Sequence, residues 1–168
     1  MYNEEQRPVI KIELSKTDKL IESIALAGLL FMWLYVLYAF TKLPDTIPIH
    51  YNYHGKADNY GSKYVIFILP LVISALFLLL TILNHYPHKF NYLKKITEDN
   101  AMQQYKAATK SLRIVKLVIV LFMNDVVFSI IKGADTKETS LGFWFLPLFL
   151  LAIILPIVVL LIKANKSN

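Results

Sequence analysis

The sequence predicts an all-α integral membrane protein: a bundle of four transmembrane helices, both termini cytoplasmic, with a structured extracytoplasmic loop after the first helix. Three observations carry this expectation. The 168 residues are 56% apolar and only 18% charged, whereas soluble domains are nearer 45–50% apolar and about a quarter charged. The surplus is gathered in four runs, each close to the roughly 20 residues that cross a hydrocarbon core. The 18 Lys and Arg lie almost entirely in the hydrophilic segments between the runs, and unequally on alternate sides. Four spans use about half the chain, so a single membrane domain over 1–168 is expected.

The first run, 21–40, exceeds a signal-peptide h-region and is followed by no Ala-x-Ala pattern, so it reads as a retained anchor. The others are 64–83, 114–131 and 141–162. Pro70, Pro147 and Pro156 fall within spans two and four and predict kinks there. Trp33 is mid-span and reads as packing, while Trp144, Tyr51, Tyr60 and Tyr64 lie where an interfacial aromatic belt would sit. Outside the spans, twelve Lys and Arg fall in the amino-terminal segment, the 84–113 segment and the tail, against five in the other two loops. The positive-inside bias makes the richer side the cytoplasm, with Lys116, just inside span three, belonging to that side. The net charge of +6 therefore reads as orientation, with the lipid bilayer as partner and no nucleic acid. Zero cysteine removes disulfides, thiolate metal sites and Cys nucleophiles together.

On the cytoplasmic side, Val9–Leu14 alternates apolar and polar residues, as a short strand or a surface segment would. Thr97 is a candidate N-cap with Glu98 and Asp99 in the first turn, and the helix is expected to run on into span three. Ala101, Tyr105, Ala108 and Leu112 form an apolar stripe, and Lys106, Lys110 and Arg113 a basic one. The basic segment 94–113 is expected to meet anionic headgroups. Docking a cytosolic regulator is the alternative.

The outer loop, Thr41–Lys63, is the informative part. Leu43-Pro44 and Ile47-Pro48 hold their preceding residues extended and stop span one. From Ile47, the residues Ile47, Ile49, Tyr51 and Tyr53 alternate with His50, Asn52 and His54, a strand pattern; Gly55 through Gly61 supply turn chemistry. On a strand His50 and His54 stand about 13 Å apart, too far to share one ion. No metal is expected, with His50 and Asp58 as the alternative pair.

The spaced set Leu43-Pro44, Ile47-Pro48, His50, Asn52, Gly55, Asp58, Gly61, Ser62 and Lys63 closely resembles the motif of the DUF1648 family of bacterial membrane proteins. In particular it resembles the amino-terminal part of SdpI-type immunity proteins, over residues of about 21–70. That resemblance implies a multi-pass protein of the bacterial cytoplasmic membrane. It also implies a role in protection against a secreted toxin peptide, coupled to membrane capture of a repressor. The second motif that follows in SdpI-type proteins has no counterpart after Asn84.

Asp125, preceded by Asn124, is an acid inside span three, about 9 Å below the outer surface. A buried acid needs a partner: Lys63 or Lys132 would supply one, and the alternative is that Asp125 is protonated or hydrogen-bonded to Asn or Tyr groups. The ligand-binding candidates are therefore Pro44, Pro48, His50, Asn52, Gly55, Asp58, Lys63 and Asp125. The expected function is binding or sensing of an extracytoplasmic ligand, a secreted peptide being the candidate, with protection or signalling as output. The alternatives are a small transporter or membrane enzyme using the His/Asp/Lys cluster, and an accessory subunit of a larger complex. No HExxH, GxSxG or nucleotide loop occurs, so no catalytic residues and no cofactor are expected.

Overall fold

A computed structural model describes residues 7–54, 56–136 and 141–166. The order of elements is α1 (Lys16–Phe40), β1 (Thr46–Tyr51), β2 (Ala57–Ser62), a 3-10 turn (Lys63–Phe67), α2 (Ile68–Leu83), a 3-10 turn (Pro87–Lys89), α3 (Glu98–Thr136) and α4 (Phe145–Lys166). All four helices are long and apolar enough to cross a membrane, and the chain is a multi-pass membrane protein. Their outer faces carry Leu30, Leu34, Leu71, Leu78, Leu151 and Ile154, each more than half exposed. Such a surface is tolerable only against lipid.

The helix α1 begins on a capping box. The Ser15 hydroxyl accepts from the Asp18 amide, and the Asp18 carboxylate accepts from the Ser15 amide at 3.0 Å. Its buried residues then recur every three or four positions: Asp18, Ala25, Leu29, Met32, Val36 and Ala39. This stripe packs on α3, which also packs against α2 and α4. At about 1.5 Å per residue the 39 residues of α3 measure roughly 58 Å, far more than the ~30 Å of a hydrocarbon core. The first turns of α3 therefore stand clear of the apolar bundle.

Those turns organise one end of the molecule. Asn100 accepts from the Thr97 amide at 3.0 Å and donates to Lys95 O at 2.9 Å, closing the start of α3. Val9–Leu14 forms neither helix nor strand; its partly buried residues Ile10 and Ile12 pack with Tyr92 on Ile96, Ala101 and Tyr105. Arg7 donates to Phe90 O at 2.7 Å and His88 O at 3.1 Å, and the Tyr105 hydroxyl to Pro8 O at 3.1 Å. Burial, then the neighbouring Tyr105, push the Tyr92 phenol well above its ordinary value, so it remains the hydroxyl that donates to Pro87 O at 2.8 Å.

Two sequence expectations change here. Pro147 lies in the first turn of α4, where a missing amide costs nothing, while Pro70 follows the junction of the 3-10 turn with α2 and Pro156 is inside α4. Of the expected basic stripe, Lys106 is exposed and Lys110 partly so, but the Arg113 side chain is turned inward and is only 6% exposed.

Across the middle of the bundle the backbones come close. A Cβ on Gly28 would stand 2.9 Å from Val120 Cγ1, and Asn124 Nδ2 donates to Gly28 O at 3.1 Å. Small residues allow this approach, and a polar side chain then bonds across it. Trp33 Nε1 ties α1 to α2 through Ser74 Oγ at 3.0 Å. Gly28→Val is therefore expected to lower detergent-solubilised stability by about 1–3 kcal/mol through overpacking, read as a fall in the thermal midpoint. Ala27→Val, at an exposed neighbouring position, should leave that midpoint unchanged.

Candidate functional site

The loop after α1 folds as an antiparallel hairpin, and it rests on α3 and the start of α2. Leu43 is buried and its amide still bonds Ala39 O at 3.0 Å, so the helix ends there and exposed Pro44 prevents another turn. Ile47 and Pro48 are both buried, and alternation then breaks. Register shifts on either side of His50 account for this, since a bulge turns successive residues to one face. Pro48, which has no amide to donate, is paired opposite Tyr60.

Asp58, Asn59 and Gly61, expected in a turn, instead form the second strand. Gly61 sits opposite Ile47, and a Cβ there would meet Ile49 Cδ1 at 2.8 Å and Cγ2 at 3.2 Å. The turn is made by Asn52: its Oδ1 accepts from the His54 and Lys56 amides at 3.0 and 3.1 Å, and its own amide donates to Lys56 O at 2.8 Å. Gly55 lies outside the described residues. At the base, the Lys63 amide donates to Asp45 O at 2.9 Å, and its ammonium lies 3.2 Å from Asp45 Oδ1, 3.4 Å from Leu43 O and over the Phe40 ring. Lys63 thereby closes the loop that Leu43 opens.

His50 and Asp58 meet across the strands, with Nδ1 and Oδ1 2.5 Å apart and side chains 64% and 41% exposed. The pair bridges the two strands, and with this much solvent it adds little stability. Among the described residues no group of three His, Cys, Asp or Glu gathers to hold a metal ion. His54 lies away from the pair, stacked on Tyr53 at 3.9 Å.

Beneath the hairpin lies an open cleft of ≈ 330 Å³ between β1, α2 and α3. Its walls include Ile47, Pro48, Ile66, Leu69, Val126 and Ile130, with His50 at the rim. All five residues from Ile47 to Tyr51 line it. In a two-stranded sheet β1 keeps one unpaired edge, and the bulge at His50 turns successive residues to one side; together these bring consecutive residues to the cleft.

Asp125 does not join this constellation. It is on an exposed face of α3, while Lys63 is engaged with Asp45. Asn124, one position earlier and so about 100° around the helix, is the residue that turns inward to α1. The expected pair of Asp125 with Lys63 does not form. His50 with Asp58, and Lys63 with Asp45, are two separate contacts rather than one cluster.

The sequence reading missed a second polar centre, deep between α1, α2 and α3. Lys116, 1% exposed, lies 2.5 Å from Glu22 Oε2, donates to Thr81 Oγ1 at 2.8 Å and sits over the Phe77 ring at 4.3 Å. Arg113 stands 3.5 Å from Glu22 Oε1 and 3.9 Å from Asp18 Oδ1. The signal was present: Asp18 and Glu22 continue the Ala25–Leu29–Met32 stripe, and Arg113 and Lys116 the Val120–Val127 stripe.

The hairpin yields one prediction. Gly61→Val should open the β1–β2 pairing by about 1–3 kcal/mol, raising strand amide exchange roughly 5- to 150-fold. Asp45→Asn, whose side chain is 97% exposed, should change that exchange little.

Comparison with known proteins matches the same region. An uncharacterized protein of Archaeoglobus fulgidus is 26% identical over 153 residues, covering 83% of this chain and 84% of the relative. That similarity extends far outside the hairpin. No solved structure matches. Residues 27–74, from the Gly28 contact through the hairpin into α2, match the family model described as a domain of unknown function, DUF1648.

Proposed function

We propose that this protein is a receptor of the cytoplasmic membrane for an extended apolar peptide, taken up outside the cell at the β1 edge and the cleft beneath it. The observation that carries the reading is the cleft: preformed, apolar, and bordered by a strand edge. A strand edge offers main-chain groups to an extended segment, and adjacent pockets select its side chains. His50, fixed by Asp58, supplies one polar group at the rim. A secreted toxin peptide is an occupant of this chemistry, and protection or signalling is then the output, with any cytosolic regulator meeting 94–113.

A test uses the protein in nanodiscs against a displayed library of random peptides. Enriched peptides should carry apolar side chains and should lose about tenfold or more in affinity with Ile130→Arg, which puts a charge in the cleft wall. Equal binding to that variant, or no enrichment, would remove the reading.

Orientation follows from the Lys and Arg count, to which Lys137, outside the described residues, contributes on the hairpin side. The chain has no cysteine, so single introduced thiols report cleanly. Asn59→Cys should react with an impermeant maleimide on intact cells, and Lys106→Cys only after permeabilisation. The reverse pattern would place the hairpin inside.

A transporter is the second reading, and the Glu22–Lys116 pair favours it, since ionisable groups inside a membrane bundle often lie on ion pathways. It requires proton or cation flux in reconstituted vesicles that Glu22→Gln abolishes.

A further inference from the structure

The end of the bundle away from the hairpin holds a larger cleft, ≈ 640 Å³, between the amino-terminal segment, α1, the end of α2 and α3. One wall is apolar, made by Ile10, Ile12, Leu14 and Pro87; Arg113, Glu22, Thr81 and Asn84 lie on the other. The volume is within the range of small-molecule sites.

Two features of the polar wall point to a ligand. Asn84, the C-cap of α2, has both Nδ2 and Oδ1 buried with no hydrogen-bond partner. A buried amide with donor and acceptor both idle costs stability, and the great majority are satisfied. Arg113 is buried, yet it reaches Glu22 and Asp18 only at 3.5 and 3.9 Å, ion-pair contacts and not hydrogen bonds. Its planar fork suits a phosphate or carboxylate.

The charge around the cleft sets the sign of the ligand. Glu22 and Asp18 together balance Lys116 and Arg113, and the charges that remain at the cleft are Lys11 and Lys19 against Glu13, with His85 also at the wall. His85 Nδ1 is 2.9 Å from Thr81 O, so that nitrogen is occupied. The balance favours an anion. Apolar residues then lead outward: Leu20 adjoins Lys19, Ile82 adjoins Thr81 and Leu83 adjoins Asn84, all exposed.

We propose that this cleft binds the headgroup of an anionic phospholipid. The phosphate lies by Arg113 and Lys19 and accepts from Asn84 Nδ2, a headgroup hydroxyl donates to Asn84 Oδ1, and the glycerol and acyl portions lie along Ile10, Ile12 and Leu14. A soluble phosphate ester offers the same polar contacts but has no use for the apolar wall.

The test is calorimetric titration of the detergent-solubilised full chain with dihexanoyl phosphatidylglycerol, dihexanoyl phosphatidylcholine and glycerol phosphate. Saturable binding of the phosphatidylglycerol is expected, with choline lipid weaker because its headgroup has no hydroxyl for Asn84 Oδ1. Asn84→Leu should weaken it about tenfold, the worth of a hydrogen bond to a charged group, and Lys19→Gln should weaken it too. Asn84→Leu removes an idle buried amide, so its thermal midpoint should hold or rise, separating lost binding from lost folding. No saturable binding, equal binding of choline lipid, or unchanged affinity in Asn84→Leu would overturn the site. Glycerol phosphate binding as tightly as the lipid would overturn the lipid occupant.

Discussion

A primary ammonium between three apolar helices is the constraint on which the bundle depends. Lys116 on α3 has almost no exposed surface, and moving such a charge out of water costs several kcal/mol even after relaxation. Three groups from two other helices offset that cost: the Glu22 carboxylate on α1, and the Thr81 hydroxyl and Phe77 ring on α2. All three act together only when the helices stand in one register. A slip of one residue rotates each side chain by about 100° and strands the ammonium. Arg113 extends the arrangement one turn toward Asp18, whose Oδ1 receives this distant guanidinium and no hydrogen bond. Toward the other end, Asn124–Gly28 and Trp33–Ser74 continue the registration, and the hairpin comes to rest on α3 beside Val126 and Ile130.

Much of this was legible because the spans follow a single physical rule. Runs of about 20 apolar residues have few other uses, and the first strand of the hairpin followed from two X-Pro pairs, although it ends at Tyr51 and the alternation read on to His54 breaks within it. The second strand was not legible, because Asp58, Asn59 and Gly61 are turn-forming residues whose extended form is imposed by pairing and by Ile49 crowding Gly61. Lys116 was hidden differently. Its place near the edge of an apolar run made a water-facing side chain the simpler reading, and only the shared stripe with Val120 and Val127 shows that it turns inward. Asp125 drew attention as the charged residue at depth, whereas the neighbouring amide, Asn124, falls on the buried face and makes the contact to α1.

The motif residues of the hairpin divide by task. Leu43, Pro44, Asn52, Gly61 and Lys63 shape it: they stop α1, make the turn, let the strands close and fasten the base. His50 and Asp58 stand outside that framework on the exposed side, and Pro48 with Ile47 forms the roof of the cleft. Conversely, the opposite end offers a cleft with an idle amide and a loosely held guanidinium. The long helix α3 passes through both regions, and the ion centre it carries adjoins the second cleft, so both clefts border a helix whose position that centre determines.

The central claim is that Glu22 and Lys116 act as a unit, and a double-mutant cycle tests it most directly. Stability of the solubilised protein is measured for Glu22→Gln, Lys116→Met and the double variant. Glu22→Gln should cost about 3–5 kcal/mol by leaving the buried ammonium uncompensated, Lys116→Met should cost less because Glu22 keeps Arg113 at 3.5 Å, and the double should cost less than their sum by at least about 2 kcal/mol. Single effects that add within about 0.5 kcal/mol would contradict the account.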